Sequence, residues 1–194
     1  MKTRKIDTLK VTVMIALSAM LLTSASCQDK KTAAQESSKS GVKPPQVDIH
    51  TAVVTGNLDA VRQHIAAGSD INVKDPFGGS SPLISAAVFG KTDIAKALID
   101  AGASINFQNN DGSSALHTAA FFCRPEIVKM LLDKKADKTI KNKFGSTAYE
   151  GVTPPFNEVK PVYEMMGNAL GPMGLKLDYA YIEKTRPVIA ALLK

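Results

Sequence analysis

The chain has 194 residues, 44% of them hydrophobic and 22% charged, with a formal charge of +6 and two cysteines. That composition is ordinary for a globular protein with room for one packed domain, and it excludes the collagenous, low-complexity and disulfide-scaffold classes.

Taken from the N-terminus, Lys2, Arg4, Lys5 and Lys10 precede the mostly apolar run VTVMIALSAMLL, and small residues follow in TSASC. A basic head, a short apolar body and a small-residue end predict a secretory signal peptide over residues 1–26, too short to span a bilayer comfortably. Cleavage after Ser26 exposes Cys27, an arrangement that resembles the lipobox of bacterial lipoproteins, with Ser24 where leucine is usual. The resemblance implies that Cys27 is lipidated and that the protein is exported to a bacterial envelope, facing the periplasm or the cell surface. Four basic residues and Asp7 leave with the leader, which halves the net charge. The basic pI is then a weak argument for nucleic acid, and no nucleic-acid partner is expected. Cys123 is left without an intrachain partner, so a packed core must supply the stability.

Residues 27–46 are polar, Ser/Lys-rich and closed by Pro44 and Pro45, a composition that buries too little apolar surface to fold. They predict a tether of roughly 25 Å average span between lipid and domain.

From Val47 onward the chain aligns with itself. IHTAVVTGNLDAVRQHIAAGSDIN, LISAAVFGKTDIAKALIDAGASIN and LHTAAFFCRPEIVKMLLDKKADKT stack without gaps, placing Ile49, Leu83 and Leu116 in one column and Gly56, Gly90 and Cys123 in another. The links FGGSSPL, DGSSAL and FGSTAY align as well, with Gly79 as a one-residue insertion. Ala86, Ala87, Ala119 and Ala120 are small where helices must approach closely, while Leu98, Ile99, Leu131 and Leu132 supply core bulk. Gly68 and Gly102 suit positive φ after a helix, and Pro125 suits a helix start. The chain from Val47 thus resembles the ankyrin repeat family. The resemblance implies an all-α ankyrin-repeat solenoid of about four helix-turn-helix units joined by short hairpin fingers, spanning residues 47–194. The units fall at about 47–74, 75–108, 109–141 and 142–194, the first acting as an N-terminal cap.

The resemblance further implies that His50 and His117, in the same column, brace the backbone between units. His64 stands alone on a second helix and is expected at the surface or partly buried. No residues have metal-ligand spacing, and no phosphate loop or nucleophile motif appears, so neither metal nor cofactor is expected. An enzyme reading would have to use Glu158, Glu164, Asp178, Tyr181 and Glu183, acids and a phenol that suit a solvated helix face equally well; a non-catalytic protein is expected.

In ankyrin repeats the ends of the inner helices and the finger tips line the concave face that grips partners. Carried onto this chain, those positions are Val88, Phe89, Phe121 and Phe122 on the helices and Phe77, Asn110, Asp111, Lys143 and Phe144 on the fingers. Aromatic anchors with a charged rim suit a protein partner, and a monomer binding another envelope protein is expected. Part of this surface, Phe121 or Phe122 in particular, has a competing reading as surface covered by the chain itself. A second class of function is companionship to a haem peroxidase or catalase, a role some bacterial ankyrin proteins have, and a third is an inhibitor or immunity-type binder.

The fourth unit departs from the pattern. It starts on schedule at FGSTAYEGV, with Tyr149 in the column of Leu116 and Glu150 in that of His117. Its Arg-Pro-x-Ile then waits until Arg186, although Arg186, Pro187, Ile189 and Leu193 clearly copy Arg124, Pro125, Ile127 and Leu131. Residues 153–184 therefore read as an insertion between the two helices of one unit. Phe156, Val159, Val162, Tyr163, Met166 and Leu170 fall at helical spacing, as do Leu177, Tyr181 and Ile182, and Gly171, Pro172 and Gly174 separate the two runs. The expected form is a helical hairpin folded over the last repeats as a cap, or a jaw beside the concave face. The terminal helix is expected to begin at Arg186-Pro187 and to pack beside the helix that opens at Pro125.

Overall fold

The computed structural model describes residues 41–194. The predicted signal peptide, Cys27 and most of the tether lie outside the described residues. Eight α-helices make up the described part, with no strand: α1 (Ile49–Thr55), α2 (Leu58–Ala66), α3 (Pro82–Val88), α4 (Thr92–Asp100), α5 (Ala115–Phe121), α6 (Pro125–Asp133), α7 (Phe156–Leu170) and α8 (Tyr179–Leu193). Helices α1, α3 and α5 pack side by side as an inner row, and α2, α4, α6 and α8 as an outer row.

Local chemistry starts the helices where the repeat places them. The Asp48 carboxylate accepts from Thr51 N at 3.0 Å, Asn57 Oδ1 accepts from Ala60 N at 3.0 Å, and Ser114 shares a capping box with His117. Pro82 and Pro125 each occupy the first turn of a helix, where the missing N–H has no intrahelical partner to lose. Alanines let the inner row close up: Ala52, Ala86, Ala87, Ala119 and Ala120 are fully buried, and Leu98 and Leu131 of the outer row complete one continuous core. No single unit could bury that face alone, so each depends on its neighbour.

Between units the chain makes fingers held by Asx turns. Asn109 Oδ1 accepts from Asp111 N and Ser113 N, and Asn142 Oδ1 accepts from Phe144 N and Ser146 N. The extra residue of the first finger is visible in a closing bond that spans one more residue than its counterparts. Asp75 N donates to Ser80 O, whereas Asn109 N donates to Ser113 O and Asn142 N to Ser146 O. Gly79 absorbs it at φ +66°, and a Cβ there would lie 2.3 Å from Asn110 Oδ1. Adjacent fingers are stitched by Asn110 N to Gly78 O and Lys143 N to Asp111 O.

The fourth unit differs from expectation in two ways. Its inner helix shrinks to a 3-10 turn over Glu150–Val152, although Thr147 and Glu150 form a reciprocal cap that replaces the Ser114–His117 pair. Its outer helix does not begin at Arg186-Pro187. Helix α8 starts at Tyr179, capped by Asp178 accepting from Tyr181 N, so Pro187 sits mid-helix and the end of the predicted insertion is continuous with the terminal helix. The strong cap upstream and the burial of Ile182 and Thr185 outweigh the one backbone bond that Pro187 cannot make. The copied positions still bury alike: Ile189 and Leu193 of α8 are buried as Ile127 and Leu131 of α6 are, and the two helices pack side by side.

Candidate functional site

The histidines take the bracing positions. His50 Nε2 donates to Val73 O and His117 Nε2 to Ser146 O, each at 3.1 Å and each tying an inner helix to the next finger. With Nε2 donating to a carbonyl, His117 Nδ1 is free to accept from the Ser114 hydroxyl at 2.9 Å. Burial holds the His117 imidazole neutral, below its ordinary value, against the opposing pull of the backbone carbonyls it bonds. His64 is buried rather than at the surface. Its Nε2 donates to Val47 O at 2.8 Å, which pins the segment entering the domain to α2, and its Nδ1 meets Ser69 Oγ. The helical periodicity could place His64 on α2 but gave no sign of the segment that covers it.

The third and fourth units meet at a seam the sequence only partly announced. Each unit after the first sends a cation back over the preceding unit: Lys91 lies over Gly56, and Arg124 lies over Gly90 and donates to Val88 O at 3.2 Å. In the fourth unit the corresponding cation is Arg186, and the carbonyl that corresponds to Val88 is Phe121. Here a hydroxyl stands between them. Arg186 donates to Tyr163 Oη at 2.9 Å, Tyr163 Oη donates to Phe121 O at 2.6 Å, and Arg186 also donates to Pro154 O at 2.8 Å. Tyr163 is fully buried, its ring stacked on Phe121 at 4.4 Å between centroids, with Phe156 beyond it and Phe122 edge-on to Phe121. Burial pushes the phenol up to about 12, so it stays a donor.

Phe121 and Phe122, expected among the partner anchors, are thus taken by the chain itself. Phe122 is buried at 5% exposure and Phe121 lies under Tyr163. Cys123 belongs to the same seam. It keeps the left-handed conformation of the glycine column at φ +54°, its Sγ donates to Ile182 O, and burial pushes the thiol up to about 11 despite Arg186 and Arg124 nearby.

The remaining expected site residues divide by position. Val88, Phe89 and Phe77 line a groove of about 790 Å³ formed by α1, α3 and the first finger. Asn110, Asp111, Lys143 and Phe144 lie on the later fingers outside it, with Phe144 77% exposed. The groove has a wall the sequence did not locate: Leu170 at the end of α7 and Met173 in the 3-10 turn Gly171–Met173 line it too. The hairpin therefore has a seated base at Tyr163 and a tip on the groove, combining the cap and the jaw that sequence reasoning held apart. The tip's Met173 is 47% exposed and Phe77 across from the helices is 90% exposed.

The acids considered for catalysis are spread over the hairpin. Asp178 caps α8, Glu164 pairs with Lys160 at 3.7 Å, and Glu158 and Glu183 are exposed. Among the described residues no three His, Cys, Asp or Glu are grouped to hold a metal ion, and no helix is long and apolar enough to cross a membrane.

Comparisons with known proteins agree with the geometry. A family model described as ankyrin repeats, in three copies, matches residues 49–142. Over 64 residues the chain is 41% identical to human protein phosphatase 1 regulatory subunit 27, a match covering 33% of this chain and 41% of that protein. An ankyrin repeat-containing protein of Schizosaccharomyces pombe is 33% identical over 65 residues, covering 34% of this chain and 31% of it. The chain thus spans less than half the length of the curated relatives it matches. Among solved structures, the ankyrin repeat domain of Bcl-3, a member of the IkappaB family, is 33% identical with a TM-score of 0.51, covering 53% of this chain and 45% of that one. Residues 49–142 match three ankyrin repeats, and the described residues form an all-helical solenoid.

Proposed function

We propose that this protein is a non-catalytic binder that holds a protein partner in the groove between α1, α3, the first finger and the tip of the α7–α8 hairpin. The observation that carries the reading is the groove itself: a concave apolar surface presenting Val54, Val88 and Phe89, rimmed by polar side chains and bounded by Met173. Apolar anchors inside a polar rim are what a binding hot spot requires. Ankyrin repeats act as protein-interaction modules, and a relative named as a regulatory subunit supports an accessory role.

The location belongs to the same proposal. Export, lipidation at Cys27 and a tether to Gln46 would hold the domain near a bacterial membrane and raise its local concentration around a membrane-associated partner. Radiolabelled palmitate should enter the wild-type protein and be lost in Cys27→Ser; equal labelling of both would end that part of the proposal.

The binding surface is tested by placing a photo-crosslinking amino acid at position 89, at position 173 and, as a control, at exposed Lys129 on α6. Position 89 and position 173 are expected to trap the same partner from envelope extracts and position 129 to trap none. A partner trapped only from position 129 would move the interface off the groove.

A further inference from the structure

The groove carries charge of one sign. Its ionisable lining consists of Asp48, Asp75 and His50, with no lysine or arginine, although the chain as a whole is basic. Neither carboxylate forms an ion pair among the described residues. Both are nevertheless fixed in place by the backbone they organise. Asp48 accepts from Thr51 N and from the Thr51 hydroxyl, and Asp75 accepts from Phe77 N, Gly78 N and Ser80 N. For Asp75, burial opposes ionisation but those backbone donors outweigh it; for Asp48 the Thr51 bonds dominate; both carboxyls lie below the ordinary range. His50 lies close enough to interact with each of them while its Nε2 is committed to Val73 O. Two positioned anions therefore border an apolar surface with no lysine or arginine in its lining and no ion pair to either carboxylate among the described residues.

This rests on the groove being the interface, and it specifies what enters. We infer that the occupant is a peptide segment of the partner in which a lysine or arginine stands beside a large apolar side chain. The apolar side chain packs on Val88, Phe89 and Met173 while the cation meets Asp48 and Asp75. A charge-assisted bond to a preorganised carboxylate adds specificity that an apolar groove alone lacks, and an acidic segment would be turned away by the same groups. The volume, about 790 Å³, lies in the range of pockets that enclose a compact ligand. Exposed Phe77 at the rim gives the chain a further apolar contact as it leaves.

The charge can be removed without dismantling the turns. Asparagine already stands in the place of Asp75 in the next two fingers, where Asn109 and Asn142 each accept two backbone N–H donors through one oxygen; Asp75→Asn keeps the oxygen that accepts from Phe77 N and Gly78 N and gives up the bond from Ser80 N to the other, and asparagine is as good an N-cap as aspartate at position 48. The probe is a phage-displayed library of random nine-residue peptides, panned on the full chain and on the D48N/D75N variant. The peptide most enriched on wild type is then synthesised beside a version with each Lys or Arg replaced by norleucine, and both are titrated against both proteins.

Wild type is expected to enrich peptides pairing Lys or Arg with a large apolar residue. The D48N/D75N change should weaken the basic peptide about tenfold and leave the norleucine peptide unchanged. Enrichment of neutral or acidic peptides, or equal affinity of the basic peptide for both proteins, overturns the inference. It would leave the groove reading standing if position 89 still trapped the partner. No enrichment over a library panned on Phe89→Asp overturns the inference as well, and if position 89 also traps nothing, the groove reading fails with it. A cooperative urea transition of D48N/D75N, displaced only modestly from that of wild type, separates lost charge from lost fold.

Discussion

The third and fourth units solve the same problem with different parts. In the third, Arg124 reaches directly back to the Val88 carbonyl of its neighbour. In the fourth, Arg186 reaches the Tyr163 hydroxyl, and that hydroxyl reaches the Phe121 carbonyl. The inserted hairpin entered at the point where the unit would have closed on its neighbour, and it replaced the bond it displaced. The lesson is that a repeat array tolerates a long insertion when the insertion supplies both the apolar cover and the hydrogen-bond partner of the seam it interrupts. The phenolic hydroxyl can donate and accept at once, so neither the buried guanidinium nor the buried carbonyl is left unsatisfied.

The comparison can be broken most severely at the terminal helix. Ending the chain after Thr185 removes Arg186, Ile189 and Leu193 and uncovers α6. The loss should exceed about 5 kcal/mol and unfold the last units, visible as proteolytic cleavage between α5 and α8 while the first two units persist. Single changes at the two seams sharpen it. Arg186→Met removes two charged donors and should cost about 3 kcal/mol, Tyr163→Phe about 2, and Arg124→Met, with one carbonyl to lose, about 1.5. Urea unfolding measures all three; an Arg124 cost equal to or above that of Arg186 would mean the relay is not the stronger seam.

Smaller effects follow from titration and from backbone strain. Because burial keeps His117 below its ordinary 6.5 in the fold, the unfolded chain takes the proton first as pH falls. The stabilisation is complete above about 6.5 and is lost below it, where a protonated Nδ1 would face the donors of Ser114. The urea midpoint should fall between pH 7 and pH 5, and that slope should flatten in His117→Gln. Asp48 and Asp75 act in a separate, more acidic window, since their carboxyls lie below 3.8. The smallest effect is at Lys135, which holds φ +58° in the column of Gly68 and Gly102. Lys135→Gly should relieve that conformation and raise stability by about 0.5 kcal/mol after the entropic cost of glycine; a net loss would show the lysine makes a contact that outweighs the strain.

Much of this was legible in the sequence because repeats state each rule several times. Columns such as Ile49, Leu83 and Leu116 fixed the stacking, and the two glycine columns marked left-handed turns even where Cys123 breaks one and Lys135 the other. The bracing histidines were legible for the same reason. The hairpin was written only once, so its helices could be found by apolar spacing but not placed. Nothing in local spacing said that Tyr163 would take the Phe121 carbonyl, or that Asp178 would start α8 ahead of Arg186-Pro187. The groove's outer wall was invisible for that reason, since Leu170 and Met173 join Val88 and Phe89 only through the tertiary route of α7. For Phe121 and Phe122 the sequence left two readings open, partner anchor and surface covered by the chain itself, and local spacing could not decide between them because the cover, Tyr163, comes from the hairpin.

The hairpin is a seated part of the domain, fixed over the third unit so that its tip bounds the groove. Cys123 lies directly under that seat, 1% exposed, and Cys27→Ser leaves it as the single thiol. Its reaction with an excess of a thiol-specific disulfide reagent at pH 8, followed in the native protein, reports the seat opening. Labelling should be slower than that of an unfolded control by at least about a hundredfold, accelerated by Tyr163→Phe and unaffected by Met173→Ala. Labelling at the rate of the unfolded control in native buffer would show that the hairpin does not sit where the groove needs it.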